Sequence, residues 1–172
     1  MTSIKREREE IIVATTLRPI TMQDMDFLYQ VYASTREEEM AAWDWLAPQK
    51  EAFLQMQFNA QHAHYQQQFG DASFDLILLD GKAVGRLYLQ RQKHELRIID
   101  IALLTEYRGK GVGSALLQGI LDQAAQADLP VRLHVEQNNP ALRLYQRMGF
   151  REIGGQGVYW LMEWKPGTKS EE

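Results

Sequence analysis

The apolar positions of this chain change their period several times, and each change marks an element. The run IIVATTLR at 11–18 is rich in β-branched residues and stops at Pro19, which has no donor for a ladder, so it predicts a first strand. Thr21 stands where an N-cap belongs, and Met22, Met25, Phe27, Leu28, Val31 and Tyr32 then recur at near-helical spacing, which predicts a helix ending near Ser34. Pro48 suits a helix start, and Phe53, Leu54, Met56, Phe58 and Tyr65 carry a long helix to Gln68. Gly70 and Asp71 break it. FDLILL and AVGRLYLQRQ follow, joined by Asp80-Gly81, the strongest short hairpin signal. A further strand, 95–104, follows the polar turn at Lys93, so strands two to four form an antiparallel meander.

The stretch RIIDIALLTEYRGKGVGSALL at 97–117 contains an apolar strand, a polar turn, the glycines Gly109, Gly111 and Gly113, and the start of an amphipathic helix. Glycines between strand and helix leave bare backbone N–H groups facing outward at a helix N-terminus, which is an anion-binding arrangement. Val112, Ala115, Leu116, Ile120, Leu121 and Ala124 continue that helix to Asp128-Leu129-Pro130, and VRLHVE supplies a fifth strand. Asn138 can cap a short helix carrying Leu142, Leu144, Tyr145 and Met148, which Gly149 closes as its C′ residue. Two last strands, 150–153 and 158–164, flank the turn Gly154-Gly155-Gln156-Gly157. The order predicts an α/β protein with a mixed, mostly antiparallel sheet of about seven strands, flanking helices and one parallel crossover between strands four and five. Ligands bind such sheets at the carboxyl ends of strands, so chemistry is expected at that crossover.

Length and composition support a single domain: 172 residues, 45% hydrophobic and 24% charged. The domain is expected over 11–165, with 1–10 a frayed leader and 166–172 a flexible tail. A net charge of −4 argues against a mainly electrostatic nucleic-acid or membrane binder. Absent cysteines remove disulfides, zinc-thiolate sites and cysteine nucleophiles. No apolar run reaches the roughly 18 residues of a membrane span, so a soluble, cytoplasmic protein is expected. His62 and His64, two residues apart on a helix, point to different faces and cannot form the i, i+4 metal pair, and no metal site is expected. In TREEEMAAWDW, Glu38, Glu39 and Trp43 read either as a solvated helix face beside a core indole or as an acceptor wall, carboxylates attracting a cationic amine whose stem packs on the indole.

Three nucleotide-binding patterns compete for RGKGVG. A Walker loop needs GxxxxGK followed by Ser or Thr, which this chain does not supply. For GxGxxG counted from Gly109, the third glycine falls on Ser114; Glu136 sits where a ribose-binding acid is expected, yet the motif lies late, after an antiparallel meander, whereas a dinucleotide unit is a run of parallel βαβ. The third pattern is Arg-x-x-Gly-x-Gly, from Arg108 to Gly113.

In that third pattern the chain resembles the GNAT superfamily of N-acetyltransferases. IALLTEYRGKGVGSALL is similar to the family's central acetyl-CoA motif and NNPALRLYQRMGF to its companion motif, in the expected order and on the expected elements, and the resemblance covers about 16–164. It implies a fold whose parallel β4/β5 pair splays apart to admit acetyl-CoA, the cosubstrate, and an amine-bearing acceptor. It implies that backbone N–H groups of Arg108, Gly109, Lys110, Gly111, Val112, Gly113 and Ser114 hold the pyrophosphate. Leu103, Leu104 and Thr105 would offer main-chain groups to the pantetheine arm and thioester carbonyl. Asn138 matches the asparagine that helps hold the pantetheine and Tyr145 the tyrosine beside the sulfur, which protonates the departing thiolate. Each also has a plain structural reading, Asn138 as an N-cap and Tyr145 as a packing residue.

The implied reaction moves acetyl directly to a primary amine. An amine with a pKa of about 10.4 must first lose a proton, at a cost of about 4 to 5 kcal/mol at pH 7. Acidic positions used by some members fall here on Arg97 and Leu133, which cannot act as carboxylate bases. Asp100 lies in an otherwise apolar strand and is the leading candidate; strand alternation groups it with Ile98 and Ala102, and a structural role is the alternative. Glu95, His134 and Glu136 follow it. A non-catalytic acyl-CoA sensor or interaction module is the alternative function and a dinucleotide oxidoreductase the third. Homodimerisation through exposed strands is compatible with the sequence.

Overall fold

The computed structural model describes residues 3–168. Its centre is a sheet in the order β1-β2-β3-β4-β5-β7-β6, built from β1 (Thr15–Pro19), β2 (Ser73–Leu79), β3 (Lys82–Arg91), β4 (Leu96–Leu103), β5 (Val131–Glu136), β6 (Arg151–Gln156) and β7 (Tyr159–Trp164). Only β4 and β5 run parallel. They pair from Leu96 with Val131 to Ile98 with Leu133 and no further, so the sheet opens beyond Ile98. Asp80 and Gly81 both take positive φ, 51° and 78°, as the two-residue turn between β2 and β3 requires.

The helices are α1 (Ser3–Ala14), α2 (Met25–Thr35), α3 (Glu37–Ala41), α4 (Ala47–Gln68), α5 (Val112–Ala127) and α6 (Leu142–Arg147). Strand alternation sends Ile77, Leu87, Leu96, Ile98, Leu133, Val135 and Met162 to one face, where α5 and α6 cover them with Leu117, Ile120, Leu121 and Tyr145, joined by Met148 just after α6. The other face carries Leu76 beneath α2 and α4, with Leu28, Tyr32, Leu54 and Phe58. A bulge interrupts β4: Tyr88 pairs with Asp100 and Leu89 with Ile98, so Ile99 is extra. One inserted residue reverses the alternation, and Asp100 therefore lies with Ala102 on the α4 side while Ile98 belongs to the α5 core. The expected grouping of Asp100 with Ile98 is corrected by this bulge.

The N-terminal reading is also corrected. Residues 3–14 are helical, so β1 begins at Thr15 rather than at Ile11, and the frayed leader expected over 1–10 is a helix from Ser3 onward. Lys, Arg and Glu are good helix formers, and Lys5–Glu9 and Arg6–Glu10 stand at the i, i+4 spacing that supports a helix. Residues 1–2 and 169–172 of the two expected tails lie outside the described residues.

Candidate functional site

The glycine loop takes its shape from two residues in the left-handed region, Gly109 at φ 71° and Gly111 at φ 87°. Any other L-residue there costs roughly 1–2 kcal/mol. Gly111 is the N-cap of α5, and the first helical bond runs from Ala115 N–H to the Gly111 carbonyl at 3.0 Å. The N–H groups of Val112, Gly113 and Ser114 precede it and have no partner within the helix, at the end where the dipole is positive. A Cβ built on Gly113 meets nothing nearer than 4.0 Å, so that glycine is not needed by the protein's own packing. The backbone here is bare toward a ligand, which fits a phosphate-bearing cofactor. Arg108 departs from the expectation for the loop: its N–H closes a turn on the Thr105 carbonyl at 3.2 Å, so the open donors begin at Gly109. Its side chain donates instead to the Leu103 carbonyl at 3.0 Å and to Ser34 Oγ at 3.2 Å. Beside the loop, α1, Leu79 and Asp80 enclose with Gly109–Gly111 an open cavity of about 1150 Å³.

At the end of β4, the Leu104 N–H bonds to the Val84 carbonyl on β3 at 2.9 Å. Main-chain direction alternates along a strand, so the polar groups of Leu103 and Ile101 face the gap toward β5. Those groups can pair with an extended ligand laid in the opening. Tyr145 is 6% exposed on α6, with its ring edge-on to Phe150 at 5.7 Å. Burial, with the Asp100 carboxylate adding to it, pushes the Tyr145 phenol up to about 12, so it carries its proton at neutral pH.

Asn138 does not cap α6. The N-cap is Ala141, with no side-chain cap bond; Asn139 Oδ1 accepts from Ala141 N–H at 2.9 Å in a turn ahead of the helix, and Asn138 lies exposed on the same loop. The helix thus starts three residues later than Asn138 as N-cap would require, after a turn that the Asn-Asn-Pro run forms.

On the α4 side of the gap lies a polar cluster that sequence reasoning found only in part. Asp100 Oδ2 accepts from Arg86 Nη2 at 2.7 Å and from the Tyr65 hydroxyl at 3.3 Å. Arg86 Nη2 also donates to Gln61 Oε1 at 3.0 Å. Asp100 Oδ1 accepts no hydrogen bond among the described residues. Burial, and then the Asp100 charge, raise the Tyr65 phenol well above its ordinary range, which keeps it a donor. Arg86 and Tyr65 were missed, although an arginine inside the apolar run AVGRLYL, on the strand next to an aspartate in another apolar run, was a readable signal.

The other base candidates are occupied. Glu95 pairs with Arg97 at 3.0 Å and Arg132 at 3.5 Å. His134 Nδ1 faces Arg97 Nη1 at 3.1 Å; arginine only donates, so that nitrogen is the acceptor and a neutral ring carries its proton on Nε2. Burial and the Arg97 charge lower the His134 pKa. Glu136 accepts from the Tyr159 hydroxyl at 3.3 Å. Of the acceptor-wall residues, Glu38 is exposed and Glu39 pairs with Arg36 at 2.7 Å. Arg36 carries the link inward by donating to the Tyr32 hydroxyl at 2.8 Å and to Gln57. Trp43 packs on Trp45 and Phe53 at 5.0 and 5.4 Å, at the margin of the core under α2 and α4, so its neighbours are those of a packing residue.

This geometry has counterparts. An N-alpha-acetyltransferase of Sulfurisphaera tokodaii is 28% identical over 101 residues, a stretch that takes in 48% of this chain and 59% of that enzyme. The PaiA N-acetyltransferase of Thermoplasma acidophilum, solved in complex with coenzyme A, superposes with a TM-score of 0.66 at 20% identity, over 88% of this chain and 98% of the other. The ribosomal-protein-S18-alanine N-acetyltransferase of Escherichia coli superposes with a TM-score of 0.58 at 19% identity, over 92% and 97%. These likenesses show the shared fold. Residues 31–150 match the acetyltransferase (GNAT) family, and this protein, with its glycine loop, opened β4/β5 pair and buried tyrosine, belongs to that family.

Proposed function

We propose that the protein transfers an acetyl group from acetyl-CoA to a primary amine. What supports this is the coincidence of open N–H groups at the start of α5 with the opening of β4 from β5 beyond Ile98, with Asp100 on β4 near enough to the buried Tyr145 of α6 for its charge to act on the phenol. Acetyl-CoA, when bound, supplies an activated thioester carbonyl, and the acetyl group leaves sulfur for the amine nitrogen. The loop from Gly109 to Ser114 binds the pyrophosphate through its N–H groups and the helix dipole. The main-chain groups of Leu103, with Leu104 and Thr105 completing that end of the strand, hold the pantetheine arm and aim the carbonyl. Asn138, exposed on the loop after β5, extends the same wall.

Asp100 Oδ1 accepts the proton that the ammonium must lose, directly or through a water. The Tyr145 hydroxyl donates a proton to the departing sulfur, and burial keeps it protonated for that purpose. Glu38 and Glu39, exposed on α3, and the neighbouring Trp43 would attract and pack a cationic acceptor, favouring an amine over a neutral alcohol.

Calorimetry with acetyl-CoA, followed by thiol release with spermidine, lysine, an aminoglycoside and an alanine-led peptide, tests the reading. Binding with turnover on at least one amine is expected. Absence of acetyl-CoA binding overturns it. Tight binding without turnover on any amine makes the protein an acyl-CoA sensor.

A further inference from the structure

Arg86 is 2% exposed in the middle of β3, where a guanidinium loses its hydration and must be compensated by its neighbours. The compensation is incomplete. Its Nε and the hydroxyl of the fully buried Tyr88 lack hydrogen-bond partners among the described residues, although the guanidinium carbon stands 5.2 Å from the Tyr88 ring centroid. Buried polar groups left short of partners are uncommon, and a cluster optimised for stability alone would not retain them. The bonds that are made converge on one atom: Arg86 Nη2 and the Tyr65 hydroxyl both reach Asp100 Oδ2, and Gln61 braces Arg86 from α4.

We infer that Arg86 is a positioning residue: it pins Asp100 by Oδ2 so that Oδ1 is presented to the gap between β4 and β5. The β4 bulge makes this possible. In a regular strand Asp100 would share the α5-facing side of Ile98; because Ile99 is bulged, the carboxylate instead meets Arg86, which reaches diagonally from its position opposite Ala102. The groups facing Asp100 are Arg86 and Tyr88 from β3, Tyr65 from α4 and Tyr145 from α6, with His62 of α4 near the Arg86 charge. Arg86 supplies the one cation among them, so it balances the carboxylate's charge as well as fixing its direction. The inference rests on the proposed role of Asp100 as proton acceptor.

The test is the side-chain rotamer of Asp100, read by scalar couplings in solution NMR of the isotope-labelled full chain with no ligand added. A single Asp100 rotamer is expected in the wild type and in Arg86→Lys, which keeps a charged donor, and averaging over rotamers is expected in Arg86→Met. A single rotamer in folded Arg86→Met overturns the inference. Should Arg86→Met not fold, Tyr65→Phe decides: Asp100 stays fixed if Arg86 pins it and averages if Tyr65 does, which also overturns the inference. Thiol release by Asp100→Asn separates the two readings. Full turnover removes Asp100 as proton acceptor whatever the rotamer shows, whereas a loss of about 100-fold or more in kcat supports it.

Discussion

The Arg108 guanidinium donates from Nε to the Leu103 carbonyl at 3.0 Å and from Nη2 to Ser34 Oγ at 3.2 Å, fastening the glycine loop to the end of β4 and to α2. The glycine loop and the end of β4 are thereby held in one geometry. Arg108→Ala is expected to weaken acetyl-CoA binding about tenfold, the equivalent of one hydrogen bond to a charged group. The melting temperature should fall by about 2–4 °C for each kcal/mol lost. Calorimetry and thermal melts of the variant check both.

The glycines of the loop separate by cause. Gly111 at φ 87° is required by the fold, so Gly111→Ala should lower stability by roughly 1–2 kcal/mol. Gly113 has 4.0 Å of room for a methyl group in the protein alone. Gly113→Ala is therefore expected to leave the melting temperature unchanged while lowering acetyl-CoA affinity, because only the ligand needs the space. Equal effects on stability and binding in both variants would contradict this separation.

Gly85 in β3 has the opposite character. A Cβ there would stand 2.3 Å from the Ala102 carbonyl oxygen and 3.1 Å from Leu103 Cα. Backbone cannot yield as a flexible side chain can, so Gly85→Ala should cost about 3 kcal/mol and loosen the β3–β4 register that holds Leu103 at the gap. Chemical denaturation measures the loss.

Stability should depend on pH at both ends of the scale. The Asp24 carboxyl accepts two bonds from Arg18, at 2.9 and 3.0 Å, and one from Thr21 N–H at 2.7 Å, and the Arg18 bonds lower its pKa to about 2. A depressed folded pKa contributes stability that is present above the ordinary carboxyl value, about 4, and is lost as pH falls toward 2. The melting-temperature gap between wild type and Asp24→Asn should therefore narrow from pH 5 to pH 2. Tyr145 works in the other direction: a phenol raised by burial to about 12 favours folding below its unfolded value, about 10, and that advantage is lost as pH rises from there. Tyr145→Phe should blunt the alkaline part of the unfolding profile.

Much of this site was written in local sequence. RGKGVG needs positive φ at Gly109 and Gly111 and a bare helix start, and these are properties of glycine itself. Asp80-Gly81 fixed its hairpin in the same way, and Gly149 ends α6 at φ 100°. What local pattern could not show was anything set by register or by partners across the sheet. The bulge at Ile99 reversed the side of Asp100, and the pairing of Asp100 with Arg86 depends on β3 and β4 lying together. The N-terminal helix hid behind its charge, because mixed Lys, Arg and Glu read equally well as a solvated tail. Asn138 does not cap α6 because the chain makes a further turn, closed by Asn139 Oδ1 on Ala141 N–H, before the helix begins, and the dipeptide alone does not reveal that backbone path.

Acetyl transfer assisted by Tyr145 is tested by steady-state thiol release from wild type and Tyr145→Phe across the amine panel, with mass spectrometry of the product. An acetylated amine and a loss of about 100- to 1000-fold in kcat for Tyr145→Phe are expected, with KM for acetyl-CoA nearly unchanged. Equal kcat in the two proteins, or acetyl-CoA binding without any acetylated amine, would contradict it.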